Sequence, residues 1–307
     1  MTIVAVIQAR MGSQRLPGKV LEPIRGRAML LHVAERARAT PGVDEVMIAT
    51  TTDPRDDEIV SKCRGAGIRW VRGSEQDVLE RYVLAAQATS ATVVMRLTSD
   101  CPLLDPAVAG LVLQRFRETP GCAYASNVHP ASWFDGSDVE VMTTEALRVA
   151  HRQAILPADR EHVTPYLVRH PGRFPSLNVV GPEPWAGLKL SVDTAEDLDR
   201  VRRVAARLPT PQSYGWLDTV AAYRLAFPTP LEERARALFG GKTVSHRREK
   251  TAALCAAYIA GAESAGAAAG RPNPYSSEQG PLQAAWAMGW EDIAELGHRE
   301  LLAGRST

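Results

Sequence analysis

The chain of 307 residues has only four cysteines, Cys63, Cys101, Cys122 and Cys255, and no two of them form a C-x-x-C pair or stand at zinc-finger spacing with histidines. That excludes a disulfide framework and a metal knuckle, and the thiols are expected to be reduced. Long apolar runs are also missing. The opening stretch Ile3 to Ile7 is too short for a signal-peptide core, and nothing approaches the roughly 18 to 20 apolar residues of a membrane span. A cytoplasmic protein is expected. Net charge is lacking too: 36 Lys and Arg stand against 35 Asp and Glu, a formal charge of +1. The overall field neither attracts nor repels nucleic acid, so a basic site has to be local. With 45% hydrophobic and 23% charged residues the composition is that of a globular protein able to bury a large core.

Strand-like and helix-like segments alternate from residue 2. Ile3 to Ile7 reads as a strand, Met29 to Ala39 as a helix, Val46 to Thr50 as a second strand, and Asp53-Pro54 as an N-cap with proline at the first helical position. Gly65 and Gly67 close that helix. A short strand at Ile68 to Val71, a helix from about Asp77 to Ala88, a strand at Thr92 to Leu97 and a helix opened by Asp105-Pro106 follow. β-α repetition with short connections predicts an α/β fold with a mostly parallel, Rossmann-like sheet flanked by helices. Ligands in such sheets sit beyond the carboxyl ends of the strands. Residues 120 to 190 are less regular. Periodicity returns at "SVDTAEDLDRVRRVAARL", where Thr194 and Asp197 form a T-x-x-D capping box.

The carboxyl-edge rule points to "VIQARMGSQRLPGKVL", residues 6 to 21, directly after the first strand. Arg10, Arg15 and Lys19 fall within ten residues, with Gly12, Ser13 and Gly18 between them. Glycines that let backbone N–H groups approach a ligand and cations that offset its charge suit a polyphosphate. A solvated basic loop is the competing reading. The segment is not a Walker A loop, because five residues separate its glycines and Val20 follows Lys19. The later "GGKT" fails as well, with Arg236 where the first glycine belongs. Asp100 lies just past the strand at 92 to 97, and Asp193 just past an expected strand at "LKLSV". Hard carboxylates converging on one sheet edge suit Mg²⁺, whereas a simple turn or cap explains Asp193 alone.

"IQARMGSQRLPGK", "RGSEQDVLERY", "RLTSDCPLLDP", "FDGSDVEV", "REHVTPY" and "LSVDTAEDL" occur in an order that resembles the acylneuraminate cytidylyltransferase family, specifically its spore-coat-polysaccharide branch. The first and last are also similar to 3-deoxy-manno-octulosonate cytidylyltransferases. The resemblance implies a nucleotide-diphospho-sugar transferase fold of the GT-A-like kind, CTP as donor, Mg²⁺, and a homodimer. It further implies that Ala9 and Arg10 lie near the cytosine and that Arg10, Gly12, Ser13, Arg15 and Lys19 contact the triphosphate. By the same resemblance Ser74, Asp77 and Arg81 lie beside the nucleoside, and Asp100 and Asp193 bind the metal. Asn127, Asp138, Glu140, Arg160 and His162 then border the acceptor pocket. The alternation of Asp138 and Glu140 with Val139 and Val141 fits a solvent-facing edge strand nearly as well, and His162 fits a structural hydrogen bond. Ser99 stands where many relatives carry glycine, which narrows the space around the nucleotide.

The implied reaction moves CMP from CTP to an acceptor and releases pyrophosphate, with Lys19, Arg10 and Arg15 stabilising the departing charge. A 2-keto-3-deoxy sugar acid of nonulosonate or octulosonate type is the expected acceptor; the scaffold also admits a phosphate or phosphonate. A glycosyltransferase would usually show a D-x-D motif, and "DCP" at 100 to 102 lacks the second acid. A non-catalytic nucleotide-binding protein would not need every charged position of the first motif.

The expected organisation is a cytidylyltransferase domain at 1–228, a linker at 229–250 and a small helical unit at 251–307. The last contains two helical segments around a Pro-Asn-Pro-Tyr turn, with Trp286 and Trp290 four apart on one face. It resembles the ribosome modulation factor family over about 40 residues. Ribosome binders need cations for phosphate contacts, yet from Lys250 onward acids outnumber bases. Docking to the catalytic domain, a dimer mate or a carrier protein is therefore favoured over RNA.

Overall fold

The computed structural model describes residues 1–181, 185–209, 214–228 and 260. The linker, the helical unit at 251–307 and the GGKT segment lie outside the described residues apart from Ala260. Compact packing covers Met1–Ala222 as one unit. No helix among the described residues is long and apolar enough to cross a membrane.

The strands are β1 (Ile3–Gln8), β2 (Pro23–Ile24), β3 (Arg27–Ala28), β4 (Glu45–Thr51), β5 (Arg69–Gly73), β6 (Val93–Thr98), β7 (Tyr124–Ser126), β8 (Glu140–Thr143) and β9 (Ser176–Asn178). The helices are α1 (Met29–Arg38), α2 (Asp57–Gly65), α3 (Val78–Thr89), α4 (Pro106–Glu118), α5 (Thr144–Gln153), α6 (Pro157–His162), α7 (Pro165–Arg169), α8 (Ala195–Ala205) and α9 (Trp216–Ala226). Seven strands form one sheet in the order β5-β4-β1-β6-β8-β7-β9, and β2 pairs with β3 separately. Neighbours β5, β4, β1 and β6 run parallel, β8 runs against both β6 and β7, and β9 runs with β7. The sheet is thus mostly parallel, with β8 reversed.

The alternation of β1 is what builds two cores. Ile3, Ala5 and Ile7 enter one cluster with Leu30, Val33, Val112 and Leu113 from α1 and α4, while Val4 and Val6 enter another with Leu79, Tyr82 and Leu147 from α3 and α5. Successive side chains of a strand point to opposite faces, and a strand covered on both reads as a continuous apolar run. Each such Val, Ile or Leu contributes about 1.5–3 kcal/mol on burial. Local signals set the helix starts as expected. Asp53 accepts from the Arg55 N–H at 2.8 Å, Asp77 from Glu80 at 2.9 Å and Asp105 from Ala107 at 2.6 Å. Thr194 and Asp197 form the reciprocal capping box of α8.

Two expectations need correction. "LKLSV" is not a strand of the sheet: Lys189 makes an isolated bridge to Asp135, and the Leu190 N–H donates to the Asp135 carbonyl at 2.7 Å. The segment pairs with a loop because Gly136, at φ 111°, lets the Leu190 backbone approach to where a Cβ would stand 2.8 Å from its carbonyl carbon. The edge-strand reading of Asp138 and Glu140 also fails, since β8 is interior and Glu140 is buried.

Candidate active site

The carboxyl ends of β1 and β6 open onto a cleft of about 430 Å³, lined by Ala9, Arg10, Ser13, Arg15 and Lys19 from the first loop. Facing them are Ser99 and Asp100 after β6, Val78 and Arg81 of α3, Glu161 and His162 of α6, and Asp193. Gly18, at φ 75°, caps a short turn of 3-10 helix at Lys19–Leu21, a backbone state that favours glycine. That turn aims Lys19 back across the cleft. Its Nζ donates to Asp100 Oδ2 at 2.9 Å, to the Val192 carbonyl at 2.6 Å and to Asp193 Oδ1 at 3.2 Å. Arg15 Nη2 also reaches Asp193 Oδ1 at 2.8 Å.

Asp100 and Asp193 meet through backbone as well as charge, because the Val192 N–H donates to the Asp100 carbonyl at 2.9 Å. Asp197 holds the second acid from behind: its Oδ2 accepts from the Asp193 and Thr194 N–H groups, both at 3.1 Å, and from Lys189 Nζ at 2.9 Å. Partial burial works to raise the Asp193 carboxyl, but the Lys19 hydrogen bond and charge, then Arg15 and Lys189, outweigh it and hold it below the ordinary value. Asp193 is therefore ionised at neutral pH. Its side chain is 22% exposed and that of Asp100 25%, so both remain open to a ligand.

The remaining expected residues are distributed around this centre. Among the described residues Arg10 makes only a 4.0 Å contact with Glu75, leaving its cation available to a ligand. Gly12 is not in the left-handed region; a Cβ there would stand 2.9 Å from Glu75 Oε1. Ser74 is turned into its own loop, its hydroxyl accepting from the Gln76 and Asp77 N–H groups. Asp77 pairs with Arg160 at 2.6 Å, which takes both away from the cleft lining. Arg81 is 2% exposed, donates to the Ala49 carbonyl at 3.2 Å, and has a buried Nε that finds no partner among the described residues. Burial presses its guanidinium below the usual range. Both ends of the Asn127 amide are used, Nδ2 donating to the Ser137 carbonyl at 2.8 Å and Oδ1 accepting from the Val139 N–H at 2.9 Å, so it shapes the loop before β8. Glu140 is buried in an ion pair with Arg96 and accepts from Tyr124 Oη at 2.5 Å. None of Asn127, Asp138, Glu140 and Arg160 lines the cleft itself. His162 does, and among the described residues its exposed ring makes no hydrogen bond, unlike the structural histidine considered from sequence.

Sequence reasoning missed Glu161 and the turn that presents it. Val163 has φ 71° and ψ −52°, and the Thr164 N–H donates to the His162 carbonyl at 2.8 Å. This is a φ-positive γ-turn at a fully buried β-branched residue, a conformation that costs of order 1–3 kcal/mol. Burial of Val163 over-determines the turn, which directs Glu161 and His162 to the cleft. No composition signal marks it.

Asp138 carries a pH dependence. Burial first, then the charges of Asp135, Glu140 and Asp100, push its carboxyl up to about 7 from 3.8. The folded chain binds this proton more tightly than the unfolded one, so the stability present below pH 3.8 is lost as pH rises through about 7. Asp138→Asn, which cannot ionise, should raise the melting temperature relative to the parent at pH 8 and match it near pH 4. Melting curves without divalent ion check this; an equal difference at both pH values would contradict it.

The family model described as Cytidylyltransferase matches residues 4–233. The Bacillus subtilis spore coat polysaccharide biosynthesis protein SpsF is 34% identical over 208 residues, covering 65% of this chain and 85% of that protein. The 3-deoxy-manno-octulosonate cytidylyltransferase of Solibacter usitatus is 31% identical, over 66% of this chain and 94% of its own. Among solved structures, a cytidylyltransferase from Leptospira borgpetersenii superposes with a TM-score of 0.69 at 26% identity, covering 80% of this chain and all of that one. The matched stretch contains every residue of the cleft, from Gln8 to Asp193, and the chain accordingly belongs to the cytidylyltransferase family and is a CTP-dependent nucleotidyltransferase.

Proposed function

We propose that the cleft binds CTP with its triphosphate along residues 9 to 19, and that the enzyme transfers CMP to a 2-keto-3-deoxy sugar acid. The observation that carries this is a single ammonium, Lys19, bonded at once to Asp100 and Asp193 inside a cationic cleft. Arg10, Ser13, Arg15 and Lys19 supply donors for phosphate oxygens, while Ala9 and Arg81 lie on the β1–α3 side that suits the nucleoside.

Asp100 and Asp193 fit Mg²⁺. Their donors are hard oxygens open to the cleft. An ion held by two carboxylates with phosphate and water completing its shell is the arrangement Mg²⁺ takes with nucleotides. When bound, it would neutralise phosphate charge and orient the polyphosphate. The protein's own part is positional. An acceptor hydroxyl oxygen forms a bond to the α-phosphorus, the bond from that phosphorus to the bridging oxygen breaks, pyrophosphate leaves, and the hydroxyl proton is released to solvent. Lys19, Arg15 and Arg10 stabilise the charge gathering on the pyrophosphate.

The relatives named for 3-deoxy-manno-octulosonate support the sugar-acid acceptor. Glu161 and His162 stand at the cleft where that acceptor would enter, whereas Asp138 and the Asp77–Arg160 pair lie outside its lining. The assembly proposed is a homodimer, as the family resemblance implies. The test incubates the full chain with Mg²⁺, each of the four nucleoside triphosphates, and a panel of sugar acids, phosphates and phosphonates. Pyrophosphate should appear with CTP and a sugar acid. Release with another triphosphate, or with a phosphate or phosphonate alone, would overturn the proposal.

A further inference from the structure

Asp56 is the one acid of the β4–α2 connection whose side chain turns fully inward, at 1% exposure. It has no ion-pair partner among the described residues and is satisfied by hydrogen bonds alone. Oδ2 accepts from the Thr50 hydroxyl at 2.9 Å, the Thr51 N–H at 3.0 Å and the Thr51 hydroxyl at 2.6 Å. Oδ1 accepts from the Met11 N–H at 2.7 Å. The first three anchor the carboxylate to the end of β4, and the fourth reaches 45 residues back to the cationic loop.

Met11 is the node of that loop, because its carbonyl accepts from the Ser13 N–H at 2.9 Å and the Gly18 N–H at 3.0 Å. One residue before it stands Arg10, and one residue after Gly18 stands Lys19. Fixing Met11 therefore fixes the take-off of both cations. A buried carboxylate without a cation is costly unless every lone pair is used, and hydrogen bonds to a charged group are worth about twice neutral ones.

We infer that Asp56 is a positioning residue for the nucleotide loop: it holds residues 9 to 19 in their cleft-forming shape before any nucleotide binds. The inference rests on the CTP reading of the cleft only for its effect on binding, since loop order can be read in the free protein.

The test compares the full chain with Asp56→Asn, which keeps the shape but loses the charge, and with Thr50→Val, which removes one Asp56 bond on the β4 side only. Both substitutions are expected to lower the melting temperature. Hydrogen exchange without nucleotide should speed up in peptides covering 9 to 19 for Asp56→Asn and stay at the parental rate for Thr50→Val. Calorimetry with CTP and Mg²⁺ should show the Kd raised about 10- to 100-fold for Asp56→Asn, the worth of one charge-assisted bond, and by less than about twofold for Thr50→Val. Should Asp56→Asn not fold, Met11→Pro removes the loop's donor and is expected to give the same exchange and binding changes. Unchanged exchange at 9 to 19 in the folded variant would overturn the inference. Absence of CTP binding by the parent would instead overturn the function proposed above, with the exchange result still deciding the role of Asp56.

Discussion

Lys19→Ala is expected to lower CTP turnover by at least about 100-fold, the loss that follows removal of one preorganised electrostatic contact. The side chain is 12% exposed and donates to three acceptors on two different loops. Its removal does two things. It takes away the cation best placed for the leaving pyrophosphate, and it leaves Asp100 and Asp193 facing each other without the charge between them. The second effect gives a separate readout: Mg²⁺ should bind the variant more tightly than the parent when no nucleotide is present, because the ion no longer competes with an ammonium. Steady-state pyrophosphate release and calorimetry with Mg²⁺ alone check the two parts. Near-parental turnover would remove Lys19 from the reaction.

Asp100→Ala should cost a similar factor, at least about 100-fold, while leaving the fold nearly intact. The asymmetry between the two acids explains why this variant is the cleaner probe. Asp193 is embedded among Lys19, Arg15 and Lys189 and backed by Asp197, so its loss would strand several cations. Among the described residues the Asp100 side chain answers to Lys19, with only a 3.7 Å contact from Cys101 besides. Deleting it leaves Lys19 still paired to Asp193 and the Val192 N–H still bonded to the backbone carbonyl of residue 100. Activity should fall with a small change in melting temperature. Full turnover with Mg²⁺ would show that Asp100 is no ligand, and collapse of the fold would show that its role is structural.

What the sequence made legible was local. The cationic loop, its position after a buried strand, and the caps at Asp53, Asp77, Asp105 and Thr194 all depend on residues within a few positions of each other, and each was found where the chemistry of adjacent residues put it. That Lys19 and Asp100 face one cleft follows from the rule that loops at the carboxyl edge of a parallel sheet share a site, whereas Asp193 reaches it from a segment that is not a strand of the sheet.

What it did not make legible depended on partners far along the chain. The reversed β8 places Glu140 against Arg96 across a strand pair, and nothing in "SDVEV" distinguishes that burial from an exposed edge. "LKLSV" has the alternation of a strand, yet it pairs with the loop at Asp135 because Gly136 lets the two backbones close on each other. Asp56 sits in "DPRDDE", a run that reads as helix-start acidity, and only the fold turns its carboxylate toward Met11. Asn127 and Ser74 matched family motifs, but the structure commits their side chains to backbone groups of their own loops.

The measurement that bears most directly on all of this is a crystal structure of the full chain with CTP and Mg²⁺. The triphosphate should lie between residues 10 to 19 and the Asp100–Asp193 pair, with Lys19 transferred from carboxylate to phosphate oxygens and one ion on the two acids. A nucleotide seated elsewhere, or the two acids drawn apart with no ion between them, would contradict the account.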